Sequence, residues 1–67
     1  MISKFELGRN IARRRHELGI TQAELAERVG TFQHVISMLE NGKVYPRIDS
    51  LKRISDALHC TVDSLTE

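Results

Sequence analysis

The chain's 67 residues and 7.7 kDa allow one domain, which buries only about 60% of the surface its unfolded form exposes and leaves little room for an enzyme's cleft. A composition that is 40% hydrophobic and 28% charged, with one proline and four glycines, excludes a disordered chain. The net charge of +1 excludes nothing by itself, and with Phe5, Phe32 and Tyr45 as the aromatics the core must be aliphatic.

Apolar residues recur at helical spacing, and no apolar/polar alternation runs long enough for a strand. Leu7, Ile11, Arg15 and Leu18 form one stripe of a first helix, which Gly19 ends. Thr21-Gln22-Ala23-Glu24 has capping-box spacing: the Thr hydroxyl accepts the N–H three residues on, and the Glu reaches back. A short second helix therefore starts near Gln22, buries Leu25, Ala26 and Val29, and stops at Gly30. A third spans about 32–41, with Ile36 and Leu39 inward and Gly42 closing it. Pro46 marks a loop and disfavours helix at Tyr45. A fourth helix over about 48–58 buries Leu51, Ile54 and Leu58, and Thr61 caps a last turn carrying Val62 and Leu65. The expected architecture is all-α, a compact bundle of four helices plus a short fifth, with no linker or repeat dividing residues 1–67.

Two short helices joined around a glycine describe a helix-turn-helix, here at about residues 22–41. Ala26 is small where the third helix crosses the second, and Gly30 supplies the positive φ of the turn between them. Leu25, Val29, Ile36 and Leu39 attach the pair to the core. At this point Gln22-Ala23-Glu24-Leu25-Ala26 and Leu39-Glu40-Asn41-Gly42-Lys43 resemble the phage-repressor and Cro helix-turn-helix family, whose domains are lambda-repressor-like. The similarity covers about residues 7–65. It implies a five-helix domain that binds double-stranded operator DNA as a symmetric homodimer, its third helix in the major groove. The function so implied is that of a sequence-specific transcriptional regulator, a repressor, working without a cofactor and not an enzyme. The alternative is an antitoxin-like or other protein-interaction module on the same fold, kept open by the apolar Phe32, Val35 and Met38.

With Ile36 inward and about 100° per residue, His34, Ser37, Met38 and Asn41 project away from the core, and Gln33 flanks the first turn. The amino-terminal half of such a helix carries most base contacts. Gln33 leads, because a carboxamide pairs with adenine N6 and N7 in two parallel bonds. His34 suits a guanine acceptor, Met38 a thymine methyl, and Ser37 a base or a phosphate; the alternative for each is an idle, solvent-facing side chain. Gln22 opens the second helix, where unpaired N–H groups favour an anion, and it resembles the family's phosphate-binding glutamine. Asn41, Lys43 and Arg47 lie on the following loop as phosphate contacts, with Arg47 suited to a narrow minor groove, or else as solvated loop residues. Three positions depart from the family's pattern: Phe32 where a capping Ser or Thr is common, leaving Thr31 to cap; Val35 where a small hydroxyl is common; and His59 where Gly often follows the fourth helix.

Arg15 interrupts the apolar stripe of the first helix, and Glu40 follows Ile36 by one turn. A buried unpaired charge is costly, so the economical arrangement joins the two; the alternative is that each snorkels to water. The family resemblance also implies such a pair, and both residues are assigned to structure. Charge is segregated: residues 1–16 sum to +4 and 43–53 to +3, while 17–42 and 54–67 sum to −3 each. This suits a polyanion partner or, equally, scattered solvated charges, and Arg9, Arg13 and Arg14 read as a solvated face. His16, His34, His59 and Cys60 have no metal-ligand spacing, and Cys60 reads as a small buried hydrophobe. One cysteine, no leader and no long apolar run point to the cytoplasm, with no membrane association and no small-molecule ligand evident. A dimer patch is expected near the two termini, Met1 and Glu67, from Val62, Leu65 and the end of the fourth helix.

Overall fold

The computed structural model describes residues 2–67, so the expected part of Met1 in a dimer patch lies outside the described residues. Among them five helices follow one another: α1 (Lys4–Glu17), α2 (Gln22–Val29), α3 (Gln33–Glu40), α4 (Ile48–Ala57) and α5 (Val62–Thr66). The all-helical architecture is the one the periodicity predicts. No helix among these residues is long and apolar enough to cross a membrane.

Three helices start on hydroxyl caps. The Ser3 and Thr61 hydroxyls each accept a backbone N–H at 3.1 Å, from Glu6 and Ser64. At α2 the Glu24 N–H donates to Thr21 Oγ1 at 3.0 Å, and the Thr21 N–H donates to Glu24 Oε1 at 2.9 Å, a complete capping box. α3 is one residue shorter at each end than the spacing suggests. Thr31 does not cap it; Phe32 holds the N-cap position in extended backbone, with no side-chain hydrogen bond.

The first four helices end alike, each with an N–H bonded five residues back and the preceding N–H three residues back. At α2 these are Thr31 to the Ala26 carbonyl at 2.9 Å and Gly30 to that of Glu27 at 3.2 Å. The turn requires positive φ, and Gly30 adopts it at +86°. After α4 the Cys60 and His59 N–H groups bond Ser55 and Asp56 in the same way, but the left-handed residue is His59, at φ +53°. A β-carbon in that conformation is crowded.

Leu7 and Ile11 of α1 meet Leu25, Ala26 and Val29 of α2, Ile36 and Leu39 of α3, and Leu51, Ile54 and Leu58 in and after α4. Leu65 is buried in the same core, which corrects the expectation that it helps form a dimer patch; Val62 beside it is half-buried. The Asn10 amide pins this end of the chain by donating to the Leu65 carbonyl at 2.7 Å. α1 and α3 touch backbone to side-chain-free backbone at Gly8, where a β-carbon would collide with the Leu39 carbonyl oxygen and lie 2.8 Å from that of Glu40.

Two outcomes follow from the helix ends. His59→Gly relieves the left-handed strain, partly offset by the freer unfolded chain, and should raise stability by up to ~1 kcal/mol, read as a higher Tm in thermal melts. The Glu24 carboxyl is held below its ordinary range first by the Thr21 N–H and then by the Thr21 hydroxyl. The stability it contributes is therefore present above the unfolded-state pKa and lost as pH falls through the lower folded value. Acid titration followed by circular dichroism should show a smaller helical loss in Glu24→Gln than in the parent chain.

Candidate nucleic-acid interface

α3 is held from beneath by one carboxylate. Arg15 Nε donates to Glu40 Oε2 at 2.6 Å and Arg15 Nη2 to Glu40 Oε1 at 2.9 Å, a two-pronged ion pair joining α1 to α3. Its side chains are only 10% and 6% exposed. Arg15 Nη1 donates to the Ile20 carbonyl at 2.9 Å, and Gln22 Nε2 donates to Glu40 Oε1 at 3.0 Å. The structure thus brings Arg15, Glu40 and Gln22 together, and the amide of Gln22 is engaged inward at the start of α2. The bond to Glu40 raises the Arg15 pKa; burial opposes it, and the Glu40 charge adds to it. Arg15 therefore holds its charge at every physiological pH.

On the opposite side of α3, Gln33, His34 and Met38 are exposed while Ile36 and Leu39 are buried. Ser37 is half-buried, and Asn41 Nδ2 donates to its carbonyl at 2.9 Å and to its hydroxyl at 3.3 Å. Those two residues are tied to each other at the end of α3. Phe32 and His34 stack, with ring centroids 5.8 Å apart and planes 13° from parallel. Lys43 and Arg47 are exposed on the loop after α3, and Arg47 is the N-cap residue of α4. Ala26 and Gly30 sit where α2 turns into α3, Ala26 buried and Gly30 at the surface.

Several supporting residues were not legible from spacing. Lys4 Nζ reaches the Lys43 carbonyl at 3.5 Å, and the Phe5 ring covers Gly42, where a β-carbon would lie 2.5 Å from Phe5 Cδ1. The first turn of α1 therefore braces the loop that carries Lys43. Phe5, an aromatic off the Leu7–Ile11 stripe, is the one sequence signal of that contact. Arg14 is not a solvated charge: Nε donates to the Leu58 carbonyl at 2.9 Å and Nη2 to that of His59 at 3.2 Å, satisfying the end of α4. Cys60 is half-buried rather than buried, and it lines a groove of about 310 Å³ with Asn10, Arg13, Arg14, Glu17, Ser64 and Leu65. No histidine lies in that groove to activate the thiol. Among the described residues no three His, Cys, Asp or Glu side chains cluster to hold a metal.

A helix-turn-helix family model matches residues 11–65. An uncharacterized HTH-type transcriptional regulator of Methanothermobacter thermautotrophicus is 48% identical over 48 residues, 72% of this chain and 70% of that protein. The HTH-type transcriptional activator BcrR of Enterococcus faecalis is 44% identical over 46 residues, 69% of this chain and 22% of its own length. Among solved structures, the P22 c2 repressor in complex with synthetic operator 9T is similar at a TM-score of 0.86 and 36% identity, over 91% of this chain and 92% of that one. The restriction-modification controller protein C.AhdI of Aeromonas hydrophila, 19% identical over 92% of this chain and 90% of its own, shares the fold at a TM-score of 0.89.

The ion pair yields a direct expectation. Arg15→Met leaves Glu40 buried without its partner and should destabilise by ~3–5 kcal/mol, close to the whole stability of a domain this size. Arg15→Met with Glu40→Leu should recover much of the loss. Chemical denaturation of the two singles and the double measures the coupling; additive losses would contradict it.

Proposed function

The chain belongs to the Cro/C1-type helix-turn-helix family of DNA-binding transcriptional regulators, and from that premise we propose that it is a cytoplasmic repressor that binds a palindromic operator as a homodimer. The observation that carries the reading is the outer face of α3: Gln33, His34 and Met38 are exposed together, opposite Ile36 and Leu39. In each half-site α3 lies in the major groove, Gln33 pairs with adenine, and His34, Met38 and Ser37 contact neighbouring base edges. Asn41, Lys43 and Arg47 hold the phosphates on either side, joined by Gln22 through the amide hydrogen that it does not give to Glu40.

Repression needs only occupancy of the operator. The P22 repressor supports that reading, since the likeness extends over 92% of its solved chain, whereas the activator BcrR is matched over 22% of its length. One recognition helix reads only a few base pairs, and a single copy makes too few phosphate contacts for selective binding. With Leu65 inside the monomer, Val62 and the turn between α4 and α5 remain for the two-fold contact. The free dimer is therefore weak and is strengthened by DNA.

Selection from randomised duplexes should return an inverted repeat with half-sites ~10 base pairs apart, centre to centre. Sedimentation should find two chains per duplex; one chain tightly bound to an asymmetric site would overturn the dimer. On the selected duplex Gln33→Ala should lose ~1–3 kcal/mol and relax preference at one base pair per half-site. Lys43→Ala should instead weaken all sequences alike and flatten the salt dependence.

A further inference from the structure

We propose that the gap between α3 and α4 is an effector site for a short-chain aliphatic carboxylate, which braces the recognition helix and tightens operator binding. The site is read from the fold alone; only its effect on the operator rests on the DNA-binding reading above.

The gap exists because α3 is fastened on two sides and not on a third. It packs against α1 and α2 and scarcely touches α4. Between α3 and α4, bordered by the turn at Gly30, lies a cavity of about 100 Å³. Its floor is aliphatic: Val29, Ile36, Leu39 and Ile54 are all buried, with the half-buried Val35 beside them. Its rim is polar, formed by the half-buried Thr31 and Ser50 and the exposed Arg53. The fold does not use that rim. Thr31 does not cap α3, whose N-cap residue is Phe32. The serine of α4 whose hydroxyl bonds back to the helix is Ser55, 2.8 Å from the Lys52 carbonyl, and not Ser50. Arg53 joins neither of the ion pairs among the described residues, although Asp49 and Asp56 lie one turn away on the same helix.

Size and lining together select the ligand's class. A cavity of ~150 Å³ holds benzene, so this one takes about four heavy atoms. Aliphatic walls favour a hydrocarbon tail. A guanidinium at the mouth presents a planar fork of donors, which a carboxylate answers with two parallel bonds. Inorganic phosphate would leave the floor unfilled, and a neutral alkane would leave the fork of Arg53 in water. Butyrate, a hydrocarbon tail ending in a carboxylate, meets both demands.

Occupancy matters to the operator because Val35, Ile36 and Leu39 belong to the helix that carries Gln33, His34 and Met38 outward. A ligand that fits this gap binds the conformation in which α3 is so presented, and raises its share of the ensemble. The coupling is reciprocal, so the operator tightens the ligand by the same factor.

The whole chain is titrated with sodium butyrate at constant sodium concentration, chloride making up the difference, and followed by proton–nitrogen NMR correlation spectra. Saturable shifts should centre on the amides of Thr31, Val35, Ser50 and Arg53, with a Kd on the order of 1 mM for so small a ligand. Butyramide, neutral and of the same shape, should bind about tenfold more weakly, and Arg53→Gln should abolish that preference. Because Arg53 is exposed, the variant should keep the parent's helical circular dichroism. Shifts that do not saturate or that centre elsewhere, or equal binding of butyramide by the parent, overturn the site. On the selected duplex, saturating butyrate should lower the Kd read by fluorescence anisotropy about fivefold in the parent and leave it unchanged in Arg53→Gln. A saturated site with an unchanged operator Kd overturns the effector role. The NMR titration needs no DNA, so failure to select any duplex overturns the DNA-binding reading and the effector role while the carboxylate site stands or falls on its own spectra.

Discussion

The two oxygens of the Glu40 carboxylate are shared among three donors: two from Arg15 on α1 and one from Gln22 at the head of α2. Since Glu40 ends α3, one nearly buried anion links three of the five helices. A guanidinium presents its donors in a fixed planar fork, so the pair admits one relative orientation of α1 and α3 where a greasy contact would admit several. Gly8 makes the approach possible, because any β-carbon there would hold the backbones apart. At eight residues and without a side-chain cap, α3 is too short to persist alone, and its direction is set by this pair together with Ile36 and Leu39. The aim of the recognition face therefore depends on residues that never reach it.

What could be read from the sequence divides along the range of the interaction. The Thr21–Glu24 capping box and the Gly30 turn are local patterns four to nine residues long, and both stand where the spacing puts them. The core residues of α2 to α4 follow from periodicity, since a helix face is fixed once one inward residue is known. The start of α3 is not legible in the sequence because Phe32 has no hydroxyl, so the usual marker of a helix start is missing and the extended backbone carries it alone. The role of Arg14 is hidden for a different reason: its partners, the Leu58 and His59 carbonyls, lie more than forty positions away and are backbone atoms that no side-chain pattern announces. Gly8 is equally silent, since a glycine within a helix does not say what approaches it.

The candidate site shows the same division. Helical periodicity suffices to point Gln33, His34 and Met38 outward, but it treats each as an independent side chain. The stack of Phe32 on His34 joins a helical residue to one that is not, so no helical wheel contains it. Ser37 and Asn41, by contrast, are four residues apart in the helical register, and their hydrogen bond is a consequence of that spacing.

The charge segregation of the sequence takes on a different meaning once these partners are known. Of the cations in the first basic segment, Arg15 is committed to Glu40, Arg14 to the end of α4 and to Glu17, and Arg13 to Asn10. Arg15 and Arg14 are thereby offset by the charges of Glu40 and Glu17, whereas Lys4, Arg9 and Arg13 keep theirs at the surface. The second basic segment is different: Lys43, Arg47, Lys52 and Arg53 are all exposed, and the first two lie on the loop directly after α3. A polyanion is therefore drawn toward the side of the molecule where the loop emerges from the recognition helix. Gln33, His34, Met38, Lys43 and Arg47 are exposed and contribute little to the core, whereas Arg15, Glu40 and Gly8 lie beneath that face. Such a separation lets the reading face change residue by residue without loss of the scaffold, provided that the scaffold's one buried anion keeps its donors.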